Sequence, residues 1–141
     1  MKERAHPTSA EARSRRRSGQ KAEALAESFL VRQGYLPLAR NHVVRGGEVD
    51  LVVAQGAVVV FVEVKRRRKG AAVDALASVT QAKQRRIVRA AFDYVRRARL
   101  EERPLRFDVV GLSLLPKGEP QFVHVEGAFD ASVAGERGRE T

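Results

Sequence analysis

Residues 47–69 read GEVDLVVAQGAVVVFVEVKRRRK, and the reading of this stretch decides the fold. β-Branched residues dominate two runs, 48–53 and 58–65, on either side of Gln55 and Gly56, which is the composition of a hairpin. Both arms are almost wholly apolar, yet they carry Glu48, Asp50, Glu63 and Lys65. Side chains on one face of a strand recur every two residues, so Glu48 shares a face with Asp50, and Glu63 with Lys65. If the hairpin closes about Gly56 and Ala57, Asp50 stands opposite Glu63 and Glu48 opposite Lys65. A one-residue slip would turn one arm over. In that register Glu48 and Lys65 form an ordinary cross-strand ion pair, whereas Asp50 and Glu63 set like charges together at a cost in stability. A divalent cation would offset that repulsion.

Working outward, residues 1–18 are rich in Arg, Ser, Glu and Ala without an apolar period, the composition of a disordered basic arm that a partner could make helical. From Gly19, Ala22, Leu25, Ala26, Phe29 and Leu30 follow the spacing of a helix with one buried face, ended by Gly34. Residues 35–44, interrupted by Pro37, read as a strand near a sheet edge, and Arg45, Gly46 and Gly47 as a turn. After the hairpin, residues 70–78 read as a loop. Thr80 then caps a long helix with apolar positions Ile87, Ala91, Tyr94, Val95 and Ala98, and Pro104 marks its end. Strands are expected at 105–112 and 121–125, separated by the turn-like LPKGEP, and the tail after Gly127 has little to pack besides Phe129. The order α, β, β, β, α, β, β gives an α/β domain, residues 19–129, with a mixed sheet of about five strands flanked by helices, and a flexible tail at 130–141.

A chain of 141 residues with 43% hydrophobic content suits one domain with a modest core. No segment approaches the roughly 18 consecutive apolar residues of a membrane span, and no apolar signal-peptide core is seen, so the expectation is a cytoplasmic protein without membrane attachment. There is no cysteine, which excludes disulfides, thiolate zinc sites and cysteine nucleophiles. Residues 65–99 hold twelve Lys and Arg against two Asp, so the whole net charge of +10 lies there and the other fifteen cations face fifteen acids. Such a field attracts polyanions, and the preponderance of Arg, whose planar fork matches phosphate oxygens, favours nucleic acid over a solubility charge.

Two hard carboxylates without thiols suit Mg²⁺ or Mn²⁺, which acidifies water and offsets charge developing on phosphorus, with a nearby lysine orienting that water. The bland alternative is a solvent-facing strand edge with charges at alternate positions. Against it, the apolar VVVFVEV arm implies burial, where unpaired carboxylates are expensive.

Gly47-Glu48-Val49-Asp50-Leu51 followed by Phe61-Val62-Glu63-Val64-Lys65 resembles the core of the PD-(D/E)XK nuclease superfamily: an Asp, a spacer, then Glu-X-Lys. More narrowly, GQKAEALAESFL, Asn41, GEVDL, VFVEVK, TQAKQRRI and RFDVV, in that order, are similar to the YraN-like family of bacterial proteins, over about residues 19–129. The resemblance implies a restriction-endonuclease-like fold and a metal-dependent phosphodiesterase site. By it Asp50 and Glu63 are metal ligands, the Val64 carbonyl a third, and Lys65 the catalytic lysine. Glu23 matches an acidic helix position that joins such sites, and Glu48 is a supporting residue. Val49 stands where many relatives have proline before the Asp, and Ala22 where glycine is common before the Glu. Similar arrangements occur in archaeal Holliday junction resolvases, which points to duplex or branched DNA as partner, and a symmetric junction would call for a homodimer.

Lys65, Arg66, Arg67, Arg68 and Lys69 leave the active strand directly and would flank the scissile phosphate, while Lys83, Arg85, Arg86 and Arg89 offer a second phosphate-tracking surface on the long helix. Few aromatics are interleaved, so duplex or junction backbone is expected rather than stacked single strands. Asp108 alternates with Arg106 and reads as an ion pair supporting the fold; His6 and His42 read as structural or incidental, and His124 as facing either side. Ser28, Ser78 and Ser113 lack a nucleophile elbow, and no glycine-rich phosphate loop is present. Two functions stand: a metal-dependent DNA nuclease, or a nucleic-acid-binding module that keeps the fold without cutting.

Overall fold

The computed structural model describes residues 8–67, 78–114 and 118–133. Its elements are α1 (Ser9–Arg32), β1 (Leu36–Val44), β2 (Gly47–Gln55), β3 (Val58–Arg67), α2 (Gln81–Ala98), β4 (Leu105–Ser113) and β5 (Gln121–Phe129). Sheet order follows chain order, β1-β2-β3-β4-β5. Every neighbouring pair is antiparallel except β3 and β4, which run parallel. A parallel pair needs a crossover, and α2 supplies it. The mixed five-stranded sheet with two helices is the expected α/β architecture of a restriction-endonuclease-like core.

Both faces of the sheet are covered, which is why the VVVFVEV run is apolar at successive positions. Val60 and Val62 pack with Ala26 and Leu30 of α1, together with Leu51, Val53 and Val110. Val59 and Phe61 pack with Ile87, Val88, Ala91 and Val95 of α2, together with Phe107 and Val109. The expected arm at 1–18 is corrected in part: α1 begins at Ser9, not Gly19. Ala10, Ala12, Arg13 and Arg15 to Arg17 are strong helix formers uninterrupted by Pro or Gly, and the apolar period marks only the portion that packs.

Thr80 caps α2 as expected, its Oγ1 accepting the Lys83 N–H at 3.2 Å. The helix ends at Ala98, well before Pro104, because Arg99 turns left-handed (φ 58°) and Leu100 N–H bonds back to the Val95 carbonyl at 2.9 Å. Strand β5 runs past Val125 to Phe129, whose ring stacks on Phe107 at 5.2 Å. The tail also packs more than its composition suggests, since Ala131 and Val133 lie against the α2-side core. Arg68, Lys69 and nearly all of the expected loop at 70–78 lie outside the described residues. Among the described residues no helix is long and apolar enough to cross a membrane.

Asp108 is fully buried and accepts from Arg106 Nε and Nη2 (2.9 Å each), His124 Nε2 (2.7 Å) and the Gly127 N–H (3.0 Å). Burial pushes its carboxyl up, but these hydrogen bonds outweigh it and hold the pKa below the ordinary value. Arg106 in turn donates to Tyr35 Oη at 2.6 Å. Asp108 therefore ties β4 to β5 and to the end of α1, the fold-supporting role expected of it, and His124 faces this network. His42 is likewise structural, 2.9 Å from Asp93 of α2.

Candidate functional site

The hairpin closes in the expected register, with Gln55 facing Val58 and Leu51 facing Val62, but the ladder stops there, one pair short of Asp50 and Glu63. On the other side β1 pairs with β2 at Arg40–Leu51 and His42–Val49 and passes over Asn41 and Asp50 between them. Asn41 has a φ of 52°, a left-handed conformation that Asn tolerates better than most residues with a side chain. The strand also breaks stride at Asp50. Val49 and Leu51, two apart, would share a face of a regular strand, yet Val49 belongs to the α2-side core and Leu51 to the α1-side core. Asp50 is thereby released from both ladders, and its Oδ2 accepts the Val64 backbone N–H at 2.8 Å.

Around Asp50 the carboxyls gather. Glu23 of α1 is 8% exposed, with Asp50 and Asn41 in hydrogen-bonding reach. Burial and then the Asp50 charge push Glu23 up to about 7. Glu63 is 3% exposed and also bonds Asp50; burial first, then that contact and the Asp50 charge, push it up to about 8. Its Oε2 is buried without a hydrogen-bond partner. Asp50 and Glu63 do meet as expected, with Glu63 held protonated rather than as a second charge, and Glu23 extends the pair into a row of three.

The cations are arranged differently from expectation. Glu48 does not pair with Lys65; its Oε1 lies 3.6 Å from Lys83 Nζ and 4.0 Å from Arg86 Nη2. Lys83 does not follow the outer face of α2. It turns inward, its Nζ 3.5 Å from Glu63 Oε2, at the limit of contact and without forming a hydrogen bond. Burial works against the charge of Lys83, but Glu63, Glu48 and Asp50 outweigh it and raise its pKa. Lys65 is half-buried, near enough that its charge, with that of Lys83, pulls the Glu63 pKa down. Arg86 and Arg89 are exposed and Arg85 is half-buried on α2, Arg66 is exposed at the end of β3, and the side chain of Arg67, with Arg68 and Lys69, lies outside what is described.

The role of Asn41, which entered only through the family resemblance, and the inward turn of Lys83 are what sequence reasoning did not supply. A polar Asn in mid-strand is disfavoured by β-propensity and was a signal. For Lys83 the only hint was its place in the first helical turn, three residues after Thr80.

Among the described residues no three His, Cys, Asp or Glu side chains converge as a cage for a metal ion. The carboxyls form a row, which does not suit a closed structural site. It does suit a hard ion such as Mg²⁺, which takes one or two carboxylates and keeps several waters. The orphaned Oε2 of Glu63 beside Asp50 is an acceptor without a hydrogen-bond donor, its lone pairs open to a cation, and the chain fits such an ion there.

A family model described as "Uncharacterised protein family UPF0102" matches residues 22–112. The chain belongs to this family. A UPF0102 protein of Anaeromyxobacter sp. is 45% identical over 85% of this chain and 90% of its own length. Others from Saccharophagus degradans and Symbiobacterium thermophilum are 47% and 43% identical, covering 79% and 82% of this chain and 92% and 98% of theirs. The YraN-like resemblance is thus borne out. The stretch matched by the UPF0102 model takes in Glu23, Asn41, Glu48, Asp50, Glu63, Lys65 and Lys83, so the whole site lies within the family's span.

Proposed function

We propose that this chain is a metal-dependent nuclease that hydrolyses phosphodiester bonds in DNA, duplex or branched. The observation that carries the reading is the buried Glu63 with an unpartnered oxygen, set against Asp50 where β2 and β3 part, with Lys65 two residues further on. Asp50, Glu63 and the Val64 carbonyl would hold Mg²⁺ or Mn²⁺; when bound, the ion supplies Lewis acidity and charge for phosphoryl transfer. The Val64 N–H bond fixes the Asp50 carboxylate, and Glu23 of α1, itself held by Asn41 of β1, braces it. Lys65 orients the attacking water and offsets charge on the phosphate. Arg66, Arg67, Arg68, Lys69, Arg85, Arg86 and Arg89 supply backbone contacts that position the strand without reading sequence.

A second reading, a binding module that does not cut, draws on one observation: Lys83 already stands where an ion's charge would act. The test is cleavage of labelled single-stranded, duplex, flap and four-way-junction DNA with Mg²⁺ or Mn²⁺, comparing the parent with Asp50→Ala and Lys65→Ala. Metal-dependent cutting that both substitutions reduce by about 10²-fold or more is expected. Salt-sensitive binding without any cutting would select the second reading.

A further inference from the structure

Among the described residues Lys83 is the one cation in contact with the buried oxygen of Glu63, and its placement runs against local preference. It lies in the first turn of α2, where there is no acidic residue and where the positive end of the helix dipole disfavours a cation. It is held there by two carboxylates, Glu48 at 3.6 Å and Glu63 at 3.5 Å, bridging the two rather than bonding either. The backbone beneath it is fixed by Thr80, while the side chain is 28% exposed and has a path to water.

We infer that Lys83 is a tethered counter-cation that occupies the carboxylate site and is displaced when a divalent ion binds. The inference rests on the metal-site reading above and concerns how that site is filled. The same oxygen cannot serve both cations. An ion on Glu63 Oε2 sits about 2.1 Å from it, so with Lys83 Nζ at 3.5 Å from that oxygen the two positive centres would be at most about 5.6 Å apart. At that distance inside the fold the repulsion is strong, and the ammonium has only to rotate outward. Arg86, 4.0 Å from Glu48, stays to balance that acid. Lys83 is therefore a positioning residue: it keeps the acids paired without metal and sets how readily metal enters.

The test is Mn²⁺ binding to the full chain without DNA, followed by electron paramagnetic resonance, for the parent, Lys83→Met and Lys83→Arg. If the ammonium fills the site nine-tenths of the time, its removal tightens Mn²⁺ binding about tenfold, while Lys83→Arg stays near the parent. Thermal melting in EDTA provides a second readout: Lys83→Met melts lower than the parent, and Mn²⁺ restores it. Equal Mn²⁺ affinity in the parent and Lys83→Met overturns the inference, as does absence of binding in both. Binding by Lys83→Met alone supports it in its strongest form, while removing the metal-dependent nuclease reading for the parent.

Discussion

Glu63 and Glu23 keep protons at a pH where ordinary carboxyls have lost them. Their folded values, about 8 and about 7, lie above the usual 4.5, so between pH 5 and 8 the folded chain binds more protons than the unfolded one. Stability in EDTA is then highest near pH 5 and falls as pH rises through 7 and 8. Asp108 has the opposite sign: its lowered pKa gives stability that is present above about pH 4 and lost as acid protonates it. Melting curves from pH 4 to 9 should trace this asymmetric hump, and Asp50→Asn, which removes the charge acting on both glutamates, should flatten its alkaline side. A profile level from pH 5 to 8 would show that the carboxyl row is not protonated. The meeting of Asp50 with Glu63 was legible because the register set at the Gly56 turn brings them opposite, although β2 leaves its regular period at Asp50. The partners of Glu48 were not, since they depend on how a helix is rotated over the sheet.

At the scale of elements, α2 is seated by what Gly47 lacks. A Cβ at Gly47 would come 2.6 Å from the Arg86 carbonyl oxygen and 3.0 Å from the Ala90 nitrogen, both backbone atoms that cannot swing aside. Gly47→Ala must therefore lift α2 off β2, at about 1–3 kcal/mol. The same shift draws Lys83 from Glu63 and Arg86 from Glu48. The expected result is a lower Tm, by roughly 3–10 °C, and a change in Mn²⁺ affinity; an unaltered Tm would mean that the helix is not seated on this contact. Hairpin, element order along the chain and the capped start of α2 could be read from periodicity, β-branching and Thr80. The early start of α1 and the end of α2 could not, because residues 9–18 lack an apolar stripe and Arg99 takes a conformation that no residue type there announces.

For the molecule as a whole, eight of the twelve cations in residues 65–99 divide in three. Lys83 is spent inward; Arg96 and Arg97 are tied to Asp93 at 3.0 and 2.9 Å; Lys65, Arg66, Arg85, Arg86 and Arg89 can meet phosphates. About five contacts give a slope of about −4.5 for log affinity against log salt on duplex DNA, a loss of order 10²–10³ between 50 and 200 mM. Fluorescence anisotropy of a labelled duplex in EDTA measures it, and a slope near zero would show that this quarter of the chain does not face DNA. Composition located the charge but could not apportion it: the Asp93 pairs lie at i,i+3 and i,i+4 along one helix, but the contact of Lys83 with Glu63 exists only once the helix is docked.

Since sheet order equals chain order, the order of synthesis is also an order of assembly. Glu63 leaves the ribosome twenty residues ahead of Lys83, about 1–4 s at ordinary elongation rates. In that interval β1, β2 and β3 can already pair side by side, bringing Asp50 to Glu63 before the lysine that will stand between Glu48 and Glu63 has emerged. The nascent hairpin must hold its acids together without that lysine.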